Sequence, residues 1–226
     1  MSAHSRENKS KDLRKHEIAE RLLSEIVAGR LAPGEQISER TWATQFGVAQ
    51  ASIREAINIL EREGFVTKES GRSARVVNLS DEDVFQLYQV RAGLEGTAGF
   101  LAASKGADAS ALQAIVNEMR AAVEAHDSKA LTDCDLRFHL ELCRLSGNGH
   151  LLNYAQKLLR PFFAFVRMRV SVSGQGTSAW GQDVDAHQRI VDLIRDREAE
   201  LTEHYVKKCM VRFASTARRN WLPHEK

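Results

Sequence analysis

"GRLAPGEQISERTWATQFGVAQASIREAINILEREGFV", residues 29–66, holds two helical patterns separated by a glycine, and its reading decides the fold of the first third of the chain. Ser38 fits the N-cap of "ERTWATQF", because its hydroxyl can accept from the free N–H groups of a first helical turn. Gly47 then supplies a sharp turn, and a second helix is predicted from about Gln50 to the stop at Gly64, with Ile53, Ile57 and Leu60 facing inward. Upstream, Ile18, Leu22, Leu23, Ile26 and Val27 recur at helical spacing from Lys15, and Gly29 closes that helix. Downstream, "FVTKE" and "SARVVNL" flank Ser70-Gly71-Arg72 and read as a short hairpin. Helix, helix, glycine turn, helix and hairpin make a winged helix-turn-helix domain over residues 15–78.

In such a domain the second helix of the pair enters the major groove of DNA, and residues at its N-terminus reach base edges. Here that end reads "VAQASIREAI". Gln50 can pair bidentately with adenine, Ser52 can donate to a phosphate or base, and Arg54 can pair with guanine or a phosphate. Arg40, near the start of the preceding helix, is placed to join them. At the hairpin tip, Gly71 and Arg72 suit the minor groove, where a small residue fits and a guanidinium is attracted. The competing reading of Gln50, Ser52 and Arg54 is the solvated face of a core helix.

The totals bound the remaining possibilities. The net charge of the chain is about +2, so any attraction to a polyanion must be local. Cys134, Cys143 and Cys209 are odd in number and widely spaced, which does not make a disulfide framework. No apolar run reaches the roughly 20 residues of a membrane span, and residues 1–14 read as a polar, flexible tail rather than a signal peptide. A cytoplasmic protein is the expectation.

From "LSDEDV" onward the grammar changes, with Ser80 and Asp83 forming a capping-box pattern. Everything after it is helical by period, with helices near 81–104, 108–126, 128–146, 149–172, 181–196 and 198–220. The fold class is therefore mainly α: a winged helix-turn-helix followed by an all-α bundle of six or seven helices over 79–222. Pro161 falls inside an apolar helix and should kink or break it.

Within the bundle, "DLRFH" (135–139) sets Asp135 and His139 one turn apart beside the apolar stripe Leu131, Cys134, Phe138 and Leu142. His187 lies within the stripe Val184, Val191 and Ile194. Two inward histidines and an inward carboxylate are a candidate metal site, against the alternative of ordinary core histidines. Cys134 and Cys143 read as structural. Arg91 shares a stripe with Val84, Leu87, Leu94 and Ala98, so it needs a partner, either a ligand carboxylate or an Asp or Glu of the same domain. Asn148 in "SGN" suits a helix cap and is also a candidate effector contact. Of Arg167 and Arg169, the sequence does not say which faces a pocket.

Residues 15 to about 77 resemble the DNA-binding domain of the GntR family of bacterial transcription regulators. Gly29, Pro33-Gly34, Gly47-Val48, Arg54-Glu55-Ala56 and Leu60 with Gly64 carry the likeness. Many members have Ser-Arg or Thr-Arg where this chain has Ala49-Gln50, which implies a different operator. Residues 81 to about 215 resemble the FCD ligand-binding domain of the FadR/VanR-like branch, through "LYQVRAGLEGTAGFLAA", "DLRFHLELCRLSGN" and "DAHQRIVDLIRDREAE". That resemblance implies a dimer whose bundle holds a divalent metal through one Asp and three His, with a small organic acid beside it and an arginine at the place of Arg91 facing the effector.

Carried over residue by residue, the implied ligands are Asp135, His139 and His187, and the fourth position falls on Cys209 rather than a histidine. His204 is the tempting substitute, but an inward face of Leu201, Tyr205, Cys209 and Phe213 puts it nearly opposite. A thiolate suits borderline-soft metals, so either Cys209 completes a zinc-favouring site, with nickel or manganese as alternatives, or the site has lost a ligand. The resulting expectation is a homodimeric regulator, a repressor by resemblance, that binds a double-stranded DNA operator and a small carboxylate effector. The rivals are a regulator whose helical half only dimerises and a metal-dependent hydrolase. The hydrolase would need a spare inward acid or base, and none stands out.

Overall fold

A computed structural model describes residues 3–68, 73–173 and 181–220, with side chains described over 14–68, 73–168 and 183–214. The chain divides into two units, Met1–Asn78 and Leu79–Lys226. In the first, helices α1 (Ala3–Val27), α2 (Glu39–Phe46) and α3 (Gln50–Glu63) precede a hairpin of β1 (Val66–Thr67) and β2 (Arg75–Val76). The strands are antiparallel, with Val66 opposite Val76 and Thr67 opposite Arg75. Arg75 also bridges to Gln36 on the segment before α2.

Local signals and packing agree here. Ser38 caps α2 by accepting from the Thr41 N–H, and Gly47 ends α2 at φ 66°, a left-handed conformation that glycine adopts without strain. Gly64 ends α3 in the same way at φ 89°. Leu22, Ile26, Ile53, Ile57 and Leu60 are buried between α1 and α3. Each contributes on the order of 1.5–3 kcal/mol relative to an exposed position.

One expectation fails in this unit. The helix begins at Ala3, not near Lys15, so residues 3–14 continue α1 instead of forming a separate tail. The physical reason is in the sequence: no Gly or Pro interrupts residues 3–27, and Glu7 and Lys11 sit at a favourable i, i+4 spacing.

The second unit consists, among the described residues, of six helices: α4 (Asp81–Ser104), α5 (Ser110–Glu124), α6 (Ser128–Leu145), α7 (Gly149–Ser173), α8 (Gly181–Arg195) and α9 (Ala199–Asn220). The protein is thus mainly α, as the periodicity predicts. Ser80 and Asp83 form a complete capping box at the start of α4. The α4–α9 pair packs closely because Gly99 has no side chain: a Cβ there would lie 2.9 Å from Thr202 Cγ2. Pro161 does not break α7, which runs through it. Phe162, Phe163 and Phe165 are buried directly after it, and that packing outweighs the backbone hydrogen bond the ring removes.

Among the described residues, no helix is long and apolar enough to cross a membrane.

Candidate metal centre and nucleic-acid face

In the first unit, Arg40, Gln50 and Ser52 line one open cleft of about 540 Å3 at the α2–α3 turn. Arg14 of α1 lines the same cleft, a residue the sequence reading placed in the tail. Arg54 lines a second cleft of about 470 Å3 with Glu39, Asn58 and Lys68. Its guanidinium is held by Glu39, with Nε 3.0 Å from Oε1 and Nη2 2.7 Å from Oε2. That pairing pushes the Arg54 pKa up, first through the hydrogen bond and then through the charge of Glu39. Gly71 and Arg72 lie outside the described residues.

The second unit brings three chemical groups together from two helices. On α6, Asp135 and His139 stand one turn apart, with Asp135 Oδ1 3.1 Å from His139 Nε2. On α8, His187 Nε2 lies 3.0 Å from the same oxygen. One ring nitrogen of each histidine and a carboxylate oxygen of Asp135 all lie within 4.8 Å of one another. Aromatic rings fix the imidazoles: Phe138 meets His187 edge-on at 4.6 Å, and Phe163 lies against His139 at 5.8 Å.

The outer nitrogens decide what this group can do. His187 Nδ1 is 2.6 Å from the Asp183 carbonyl oxygen, which can only accept, so Nδ1 carries the proton. His139 Nδ1 faces the Glu95 carboxylate of α4. Both imidazoles therefore turn their Nε2 atoms toward Asp135, and two ring nitrogens and a carboxylate oxygen meet at one point. Such a point calls for a proton or a cation. Divalent metals bind imidazole nitrogen and carboxylate oxygen at about 2.0–2.2 Å, so donors within this spacing can share one ion.

Burial and charge shape the surroundings. Burial opposes the ionised form of Asp135, but hydrogen bonds from His139 and His187 outweigh it and hold the carboxyl well below the usual carboxylate range. Burial likewise disfavours charged His139, yet the Glu95 carboxylate raises its pKa above the ordinary imidazole value. Asp183, half-buried, is pushed up to about 6, first by burial and then by the charge of Asp135. Its carboxylate is 3.8 Å from Arg212.

Arg91 takes the second of its two open readings. It is 2% exposed, its Nε donates to Glu95 Oε1 at 2.7 Å, and its guanidinium sits over Tyr88, Phe162 and Phe163 at 4.8–5.1 Å. Glu95 was not singled out in the sequence, because an Arg and a Glu four residues apart normally form a surface pair. Here both are buried.

Two readings are open for the fourth position, and Cys209 lies outside the group of converging donors. It is buried on α9 with its thiol paired with Tyr205, and it is not among the donors that lie within reach of one another. The inward face of α9 is centred on Thr202, Val206 and Met210, while Leu201 is 45% exposed, so the expected face was rotated. His204 is exposed, opposite that face. Asn148 is also exposed, and its side-chain oxygen is engaged by the His150 and Leu151 N–H groups as the cap of α7. That occupation speaks against an effector contact. Arg167 reaches Asp133 of α6 at 3.4 Å, and the side chain of Arg169 lies outside the described residues. Cys134 and Cys143 are buried free thiols.

Comparison with known proteins gives this geometry a context. Residues 14–76 match the family "Bacterial regulatory proteins, gntR family", and residues 86–212 match the FCD domain family. The chain is 30% identical over 176 residues to the Nta operon transcriptional regulator of Aminobacter aminovorans, covering 77% of this chain and 80% of that protein. It is 27% identical over 189 residues to a protein of Paenarthrobacter nicotinovorans described as a probable D-xylose utilization operon transcriptional repressor, covering 83% and 81%. A protein of Rhodococcus sp. RHA1 described as a "putative transcriptional regulator GntR" shares the fold, with a TM-score of 0.70 at 22% identity over 92% of this chain and 99% of that one. With a regulator 30% identical over most of its length and an FCD match across most of the second unit, this chain belongs to the gntR family of bacterial regulatory proteins, as a transcriptional regulator with an FCD domain.

Proposed function

We propose that this regulator is a homodimer that binds a double-stranded operator through its first unit and senses a small carboxylate through its second, with a divalent metal as part of the sensing site. It acts as a repressor in the cytoplasm, one half-site per subunit. The observation that carries the metal reading is the meeting of Asp135 Oδ1 with the Nε2 atoms of His139 and His187 in a part-buried centre. Nitrogen and oxygen donors of this kind suit zinc, nickel or manganese.

Three protein donors also leave room on the ion. Zinc in an open site takes at least one further ligand, and a carboxylate oxygen is a natural occupant of that position. Arg91, two helical elements away in the chain but joined to His139 through Glu95, adds positive charge beside the centre. On the operator side, Arg40, Gln50, Ser52 and Arg54 supply the donors, with Gly71 and Arg72 as further contacts. Gln50 in place of the arginine common in the family favours adenine over guanine at the base it meets.

The effector changes operator affinity only through contacts that differ between the two DNA-binding states of the dimer. The test is operator binding by the chelator-treated chain, the zinc-loaded chain, and the zinc-loaded chain with a panel of small carboxylates. A metal-dependent response to one carboxylate supports the reading. Operator binding indifferent to metal and to every carboxylate points instead to a helical unit that only dimerises.

A further inference from the structure

Glu95 is 0% exposed, and an ionised carboxylate there is costly unless both of its oxygens are engaged. One is hydrogen-bonded, and the other has only the close approach of an imidazole nitrogen. Oε1 accepts from Arg91 Nε at 2.7 Å, and Oε2 faces His139 Nδ1. Arg91 and the His139 nitrogen turned away from Asp135 are therefore bridged by one side chain on α4. With the Arg91 guanidinium at one oxygen and the His139 imidazole at the other, Glu95 is placed to accept at both.

We propose that Glu95 is a positioning residue of the metal centre: by accepting the Nδ1 proton of His139, it fixes the tautomer and ring orientation that aim Nε2 at the ion. This rests on the metal reading above and extends it to a residue outside the three ligands. His187 obtains the same service from its own helix, through the Asp183 carbonyl. His139 has Glu95 in that place, so its orientation depends on one ionisable side chain. A carboxylate behind a ligating imidazole also raises the basicity of the ring, and losing such a partner typically costs about 10–100-fold in metal affinity.

Glu95→Gln separates this role from mere packing, because the amide has nearly the same shape. Arg91 Nε–H can only donate, so the amide oxygen must turn to Arg91, which leaves the NH2 group facing His139. Nδ1 must then accept, and the proton moves to Nε2, the atom the metal needs. Reversing the amide merely transfers the donor–donor clash to Arg91.

The experiment titrates zinc into the full chain in competition with a chromophoric chelator, for the native protein, Glu95→Gln and His139→Ala. Melting of each metal-free protein is recorded beside it. We expect Glu95→Gln to lose about 10–100-fold in zinc affinity, approaching His139→Ala, while remaining folded. Native zinc affinity in Glu95→Gln, with only its melting point lowered, would overturn the positioning role and leave Glu95 a structural partner of Arg91. Absence of zinc binding by the native protein would remove the metal reading itself, and this proposal with it. Should Glu95→Gln not fold, nitrogen-15 spectra of the zinc-loaded native protein decide. A proton on His139 Nδ1 and metal on Nε2 support the assignment, and the reverse arrangement contradicts it.

Discussion

His187 Nε2 lies 3.0 Å from Asp135 Oδ1, although 52 residues separate the two in sequence. The contact ties α8 to α6 at the point where His139 also arrives, so a ligand bound there senses the relative position of two helices. A metal at this point would strengthen that tie. This is how a small site could act on the packing of a whole bundle.

Removing either member of the contact should abolish tight metal binding. Asp135→Asn and His187→Ala are each expected to lower zinc affinity by more than about 100-fold, the upper end of what outer partners alone cost. Cys209→Ser should stay near the native value, because its thiol pairs with Tyr205. Chelator competition measures all three. A loss in Cys209→Ser equal to that in His187→Ala would restore the cysteine as a fourth ligand.

Acidity should oppose the metal. The raised pKa of His139 means that the metal-free centre holds a proton on this ring above the pH where a free imidazole loses it. Metal must displace that proton from Nε2, so affinity rises with pH until the folded pKa of His139 is passed, then levels. The stability of the metal-free protein follows the opposite sign. The contribution from charged His139 is fully present below the unfolded pKa near 6.5 and is lost as pH rises through the higher folded value. Calorimetry in buffers of different ionisation enthalpy should record proton release on zinc binding near neutral pH. A binding enthalpy independent of buffer would contradict this.

Operator recognition should depend on Arg54 and on the residue that holds it. Arg54→Ala is expected to weaken operator binding on the order of tenfold or more, as for loss of a bidentate base contact. Glu39→Gln keeps the arginine but loosens its grip, with Nε and Nη2 no longer facing a charge. It should therefore blur discrimination between operator and random DNA more than it lowers total affinity. Titration of labelled operator and scrambled duplex at fixed salt reads both effects. Unchanged affinity in Arg54→Ala would remove the residue from the interface.

The close approach of α4 and α9 predicts a stability effect far from any ligand. Gly99→Ala would place a methyl group 2.9 Å from Thr202 Cγ2 and push the helices apart. Overpacking of this kind costs about 1–3 kcal/mol, visible as a lower denaturation midpoint. Gly93→Ala, where an added Cβ meets nothing within 4 Å, should cost far less.

The sequence disclosed elements more readily than distances. Gly47 and Gly64 end α2 and α3 where their pattern places them, because a left-handed turn needs a residue without a Cβ. Asp135, His139 and His187 were visible as polar groups beside apolar stripes, and the structure brings them together. Cys209 shows the limit of that logic. Its direction on α9 is inward, but direction alone does not fix depth, and the face of α9 is centred on Thr202 and Val206 instead of Leu201. Glu95 was hidden for a different reason. Spaced four residues from Arg91, it looks like a surface ion pair until packing encloses both partners and points its second oxygen at His139.

The central claim is that Asp135, His139 and His187 hold one divalent ion. Its most direct measurement is the metal content of tag-free protein, stripped with chelator, incubated with zinc and passed through a desalting column. The account predicts about one zinc per chain for the native protein and essentially none for His187→Ala, since one site per chain is set by these three donors. Native protein that retains no zinc, or His187→Ala that retains as much as the native chain, would contradict it.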